Sequence, residues 1–246
     1  MTVAFKNYEF SYLKNGKYVF CPAKETRLKA EKLKTRIENS YDIPEYYFHY
    51  RANGHIAAIH SHRDQRYFAK IDIQNYFYSI SRNRVQKALE KANIHNARNL
   101  AKWSCVKNPL CKPSYAIPYG FIQSSAIASL VMFQSKIQDV LQDISKQNTV
   151  AVYVDDISLS GNDIQSLSGD YESLCKAVHD EGFELNSVKS VPPRALIGIF
   201  NCDLEQGVAI VSEARKERFY SSSRTDTSEV AFLNYCERVS AGNIDK

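Results

Sequence analysis

The chain has 246 residues, 44% hydrophobic and 24% charged, which is enough apolar material for a full core and excludes a disordered chain. Its 32 Lys and Arg against 27 Asp and Glu leave a net charge of +5, so nucleic acid is permitted as a partner without being required. The longest apolar stretch, AIASLVMF, is too short to cross a bilayer, and the opening MTVAFKNYEF lacks the apolar run of a signal peptide, so no membrane role is expected. Six cysteines without a CxxC pair read as reduced thiols of a cytoplasmic protein. His49, His55, His60 and His62 lie close together, but no nearby Cys completes a ligand set, and a metal centre is not expected there. The 16 tyrosines either fill the core or stack on bases.

In chain order, residues 22–38 read as a basic helix with Leu28, Leu33 and Ile37 loosely on one face. Residues 67–73, YFAKIDI, alternate as a strand, with Tyr67, Ala69, Ile71 and Ile73 on the buried side and Phe68, Lys70 and Asp72 on the other. Ala126, Leu130, Phe133, Ile137, Val140 and Ile144 predict one long amphipathic helix, which Ser124 would cap. AVYVDDISLSG, residues 151–161, predicts a strand–turn–strand hairpin with Asp155 and Asp156 at its tip. A second helix through Tyr171, Leu174, Cys175 and Val178 should stop at Gly182. ALIGIFNCDLEQGVAIV predicts two strands around a Glu-Gln-Gly turn. This order predicts an α+β domain, helices covering one face of a mainly antiparallel sheet.

Asp72 ends one strand and Asp155-Asp156 tip a hairpin, so three carboxylates can meet at one sheet edge. Successive strand residues point to opposite faces, so bringing both tandem aspartates to one site needs a turn. Three hard oxygen donors suit Mg²⁺ with waters and substrate phosphates. Two such ions about 4 Å apart can activate a 3′-hydroxyl and stabilise leaving pyrophosphate.

IDIQNYFYSI (71–80), IPYGFIQSSAIASL (117–130), YVDD (153–156) and GFELNSVKS (182–190) resemble, in order and spacing, the A, B, C and D motifs of reverse transcriptases. They look most like the bacterial retron, group II intron and defence-associated or abortive-infection types, and the likeness spans roughly residues 15–212. The resemblance implies a right-hand polymerase: fingers over 1–70, a palm over 71–212 with a fingers insertion around 95–120, and a short C-terminal segment or rudimentary thumb over 213–246. It implies Asp72, Asp155 and Asp156 as the catalytic and metal-binding triad, assisted by the Ile73 carbonyl, with Mg²⁺ as the ion and Mn²⁺ as the alternative. Phe77 matches the steric gate that favours deoxynucleotides. Tyr119, Gly120, Gln123 and Ser124 match the loop and helix start that hold nucleotide and template, and Tyr153 joins that nucleotide-binding set. Lys189 matches the motif D lysine, a proton donor to pyrophosphate. Lys24 and Arg27, in KYVFCPAKETR, match a fingers segment that grips the triphosphate, and aromatics with Arg51 in YYFHYRANGHIAAIHSHR match template contacts.

The motif B serine departs from many relatives, which place glycine before it and proline after; here the run is Gln123-Ser124-Ser125. After a presumed primer-grip hairpin near Asn201 to Ile210 only about 34 residues remain, so the expected enzyme relies on a partner protein, a structured RNA or its own oligomer to hold the duplex. Its expected partners are an RNA template, which a dedicated non-coding RNA would supply, deoxynucleotides and the DNA product, in a bacterial antiviral or retroelement setting in the cytoplasm. The alternatives are a template-independent or protein-primed deoxynucleotide polymerase, a palm-like RNA-binding scaffold without activity, and an RNA-directed RNA polymerase, which Phe77 opposes.

Overall fold

The computed structural model describes residues 7–244. In chain order its elements are β1 (Tyr8–Lys14), β2 (Lys17–Pro22), α1 (Arg27–Glu38), α2 (Gly54–His62), β3 (Tyr67–Asp72), α3 (Tyr76–Ser79), α4 (Arg82–Lys91) and α5 (Ala97–Ser104). There follow β4 (Val106–Lys107), β5 (Tyr115–Ala116), α6 (Ser124–Phe133), α7 (Lys136–Ile144), β6 (Thr149–Tyr153), β7 (Asp156–Gly161) and α8 (Ile164–Asp180). The chain closes with β8 (Val191–Arg194), β9 (Leu196–Ile199), β10 (Cys202–Glu205), β11 (Val208–Val211), α9 (Glu213–Tyr220) and α10 (Asp226–Ser240). Two compact units result, one from the residues up to Ile43 with Gln74–Gln138, the other from Pro44–Ile73 with the residues from Asp139 onward.

In the first unit β1 and β2 pair antiparallel around Asn15-Gly16, both at positive φ as a tight hairpin turn requires. Residues 17–22 are spent on β2, so the helix expected from residue 22 starts only at Arg27, after a 3₁₀ turn over Lys24–Thr26. It turns Ala30, Leu33 and Ile37 inward, while Leu28 is 70% exposed, contrary to the expected face. The single long helix expected from Ala126 to Ile144 is two. Gln134 ends α6, and the Ser135 hydroxyl donates to the freed Met132 carbonyl at 2.6 Å before α7 begins. Ser124 is the first helical residue of α6 rather than its cap.

In the second unit a four-stranded antiparallel sheet runs β6-β7-β3-β8, and a three-stranded antiparallel sheet runs β11-β10-β9. The second sheet corrects the two-strand expectation: LIGI (Leu196–Ile199) forms its own strand, and Phe200-Asn201, both at positive φ, turn it into β10. Phe68, assigned to the open face of β3, is fully buried instead. It joins Ile56 and Ile59 of α2, Ile197, Leu204 and Val211 of the second sheet, and Phe219, Phe232 and Val239 of α9 and α10. Both faces of β3 therefore carry apolar cover, and the C-terminal helices are part of this core rather than an appendage. Gly182, at φ +73°, ends the α8 segment as expected, its N–H donating to the His179 carbonyl at 2.8 Å.

His62 of α2 lies fully buried between two serines of β7, with Nδ1 2.7 Å from the Ser160 hydroxyl and Nε2 2.8 Å from that of Ser158. Burial lowers its pKa to about 3. The unfolded chain takes up this proton near pH 6.5, whereas the folded chain refuses it until far lower, so stability present above pH 6.5 is lost as pH falls toward 3. At one pKa unit per about 1.4 kcal/mol, the loss through this ring reaches the order of 5 kcal/mol. His62→Gln, which keeps one donor and one acceptor for the serines, should flatten the acid limb of Tm against pH. An unchanged limb would contradict this account.

Candidate active site

The β3–β7 register sets Asp72 directly opposite Asp156, and the β6–β7 register sets Tyr153 opposite the same residue. Val154 and Asp155 form the intervening turn, with Val154 at φ +60°. A β-branched residue in the left-handed region is strained. The turn leaves Asp155 in the hairpin tip, while Asp156 opens β7. The His49 ring steadies it: Nδ1 accepts the Val154 N–H at 3.2 Å. Nothing in the sequence marked His49 for that role, since the two lie 105 residues apart.

Asp72 is held by its own main chain. Its N–H donates to the Ser190 hydroxyl at 3.1 Å, and its carbonyl accepts the Asn186 N–H at 2.9 Å. The next residue, Ile73, is buried and bridges to Leu185. The same segment brings Lys189 Nζ to 3.5 Å from Asp72 Oδ2, an ion pair with the lysine mostly exposed and the aspartate mostly covered. Motif spacing suggested Lys189; Ser190 and Asn186, which brace the aspartate, carried no signal.

Asp156 is solvent-exposed at the start of β7, yet its carboxyl is raised to about 6, first by the partial loss of water around it and then by the Asp155 and Asp72 charges, against Lys70 and Lys189. Negative charge is thus gathered at this edge in excess of its counterions, which suits a divalent cation held by oxygen donors. Asp72, Asp155 and Asp156 fit that role by donor type and register. Among the described residues, though, no three His, Cys, Asp or Glu side chains converge as a ready-made ligand set.

Most of the remaining expected residues belong to the first unit. Phe77, on α3, is 9% exposed and stacks on Tyr119 with ring centroids 4.7 Å apart, and the Lys17 ammonium donates to the Tyr119 hydroxyl at 2.9 Å. Gly120, at φ +100°, lets the loop pack against β2, where the Phe20 N–H donates to the Tyr119 carbonyl at 2.8 Å. Gln123 and Ser124 are buried: the Gln123 amide donates to the Ser104 hydroxyl at 3.3 Å, and the Ser124 hydroxyl to the Pro118 carbonyl at 2.7 Å. Lys24 is exposed in its 3₁₀ turn, and Arg27 pairs with Glu31 along α1. Tyr153, in the second unit, turns its ring to His49, His55 and Phe200.

The chain resembles several solved polymerases. A foamy viral protease–reverse transcriptase in complex with dsDNA superposes with a TM-score of 0.56 at 15% identity, over 92% of this chain and 42% of that one. A foamy viral protease–reverse transcriptase dRH in complex with dsDNA gives 0.54 at 17%, over 92% and 35%. Telomerase from Candida albicans in complex with a telomeric RNA fragment gives 0.52 at 14%, over 86% and 40%. This chain therefore spans well under half the length of these proteins. A search of curated protein sequences finds no significant match. These likenesses define the fold as a polymerase palm with fingers, α+β with antiparallel sheets, as the sequence predicted. Residues 14–211 match the reverse transcriptase (RNA-dependent DNA polymerase) family, and the chain belongs to that family.

Proposed function

We propose that the protein is an RNA-directed DNA polymerase in which Asp72, Asp155 and Asp156 hold Mg²⁺, or Mn²⁺ in its place. The observation that carries this reading is the register of Asp72 opposite Asp156 beside the Val154-Asp155 turn. Divalent ions held there would supply the two-metal chemistry of nucleotidyl transfer, lowering the barrier to 3′-hydroxyl attack and steadying the pyrophosphate. Strained backbone, His49, Ser190 and Asn186 keep the carboxylates placed, so little reorganisation is left for the reaction itself.

Lys189 has the role of proton donor to the departing pyrophosphate. Lys189→Met is expected to lower the rate of nucleotide addition on the order of 10²-fold while leaving primer–template affinity nearly unchanged, as measured by single-turnover kinetics and a binding titration. Equal losses in both would reduce Lys189 to a structural partner of Asp72. Phe77, Tyr119, Gly120, Lys24 and Arg27 keep the nucleotide-handling roles that the family motifs imply, with Phe77 excluding ribonucleotides.

Within the family the reading extends to a bacterial type active in the cytoplasm in antiviral defence or as part of a retroelement, copying a dedicated RNA. The reading includes a partner protein, a structured RNA or a second copy of the chain that helps to grip the duplex. The test is primer extension on a defined RNA template with Mg²⁺ and deoxynucleotides, followed by product sequencing. Complementary DNA supports the reading. Product without a template, or product attached to a protein hydroxyl, would replace it with untemplated or protein-primed synthesis, and an unchanged biological effect of Asp155→Ala would favour a scaffold.

A further inference from the structure

In the second unit a cavity of about 550 Å³ opens beside the catalytic turn. Six rings line it: His55 of α2, Tyr153 at the end of β6, Phe200 in the β9–β10 turn, Phe219 of α9, and Phe232 and Tyr235 of α10. The rings form a continuous wall. His55 lies 6.4 Å from Tyr153, 6.0 Å from Phe200 and 5.7 Å from Tyr235, centroid to centroid, while Phe219 and Phe232 stack at 4.0 Å. Phe200 reaches it from a left-handed backbone, φ 52°, which a bulky residue rarely adopts.

Arg215, Asn201 and Ser228 supply the polar part of the lining, and Ala231 completes it. Arg215 holds its guanidinium over the Phe232 ring at 5.5 Å, half-buried, and makes no ion pair among the described residues. Asn201 adds an amide. A volume in the range of small-molecule sites, flat aromatic walls, one cation without a counter-charge and one amide match a planar heterocycle carrying a phosphate. The exposed Arg218 adds further positive charge along α9. A purely apolar ligand would leave Arg215 without an anion.

We propose that this cavity is a one-nucleotide pocket: it stacks a single unpaired base and pairs Arg215 with its phosphate. The base belongs to a strand handled at the adjacent turn, since Tyr153 both lines the cavity and leads directly into Val154-Asp155. The assignment of a strand rests on the polymerase reading; the nucleotide chemistry of the pocket does not.

The test uses the full chain and an oligonucleotide ending in an unpaired 2-aminopurine, whose fluorescence falls on stacking. Saturable quenching is expected with wild type and with Asp155→Asn. It should weaken about tenfold or more in Arg215→Glu and in Ala231→Leu, which fills the cavity from an exposed helical position. Ala231→Leu leaves the buried core untouched, so it tests the pocket even if the arginine variant misfolds. The free 2-aminopurine deoxynucleoside monophosphate is the second arm: equal affinity assigns the pocket to a free nucleotide, and tighter oligonucleotide binding assigns it to a strand end. Primer extension is measured on the same preparations. Extension absent with quenching still sensitive to both variants would sink the polymerase reading and leave the pocket standing. Extension present with quenching unchanged in Ala231→Leu would overturn the pocket.

Discussion

Asp155→Asn should reduce DNA synthesis by on the order of 10³-fold or more, with a melting temperature no lower than that of the wild type. Asparagine keeps the size of the side chain and removes its charge. That charge sits in a turn already strained at Val154 and helps raise the Asp156 carboxyl to about 6. An acid whose folded pKa exceeds its unfolded value destabilises the fold once ionised, above pH 6, and the penalty fades as pH falls toward the unfolded value near 4. Removing one of its like-charged neighbours therefore relieves the fold near neutral pH while removing a metal-holding oxygen donor. Loss of activity together with loss of stability would mean that the tandem acids are structural. Retained activity would remove Asp155 from the chemistry altogether.

Gly120→Val should destabilise the first unit by roughly 3 kcal/mol or more. Gly120 has φ +100°, where residues with a side chain are strained, and a Cβ there would stand 2.9 Å from Val19 Cγ1 and closer still to the Phe20 carbonyl oxygen. The obstacle is mostly main chain, so it cannot swing aside. The loop would have to release β2, breaking the Phe20–Tyr119 hydrogen bond and disturbing the Phe77–Tyr119 stack together with the Lys17 contact. Gly120→Ala should show the same defect, because its Cβ occupies the same place. Chemical denaturation followed by far-ultraviolet circular dichroism measures both, and midpoints equal to wild type would contradict this reading.

Much of this was legible beforehand because it is written in local pattern. The β6–β7 hairpin and the Gly182 stop are short-range signals, and the four motifs occur in order. The misreadings lie where a local pattern carries no information about burial from elsewhere or about a break that keeps its phase. Alternation along β3 marks Phe68 as facing away from Ala69 and Ile71, but cannot tell that the second sheet and the C-terminal helices cover that face. The 3- and 4-residue steps from Ala126 to Ile144 remain in phase across the break at Gln134-Ser135, so periodicity could not register it. Leu28 looked like a core residue and Ala30 did not, yet the small side chain is the one that faces inward. The aromatic cavity gathers residues from five separate segments, and no window of sequence contains it.

The central claim is that Asp72 and the Asp155-Asp156 pair bind divalent ions as one site. Electron paramagnetic resonance of Mn²⁺ titrated into the protein with a deoxynucleoside triphosphate measures this without any reaction. Wild type should show bound Mn²⁺ beyond that held by the nucleotide alone, and Asp72→Asn and Asp155→Asn should each lose it. Variants that bind Mn²⁺ as wild type does would contradict the account.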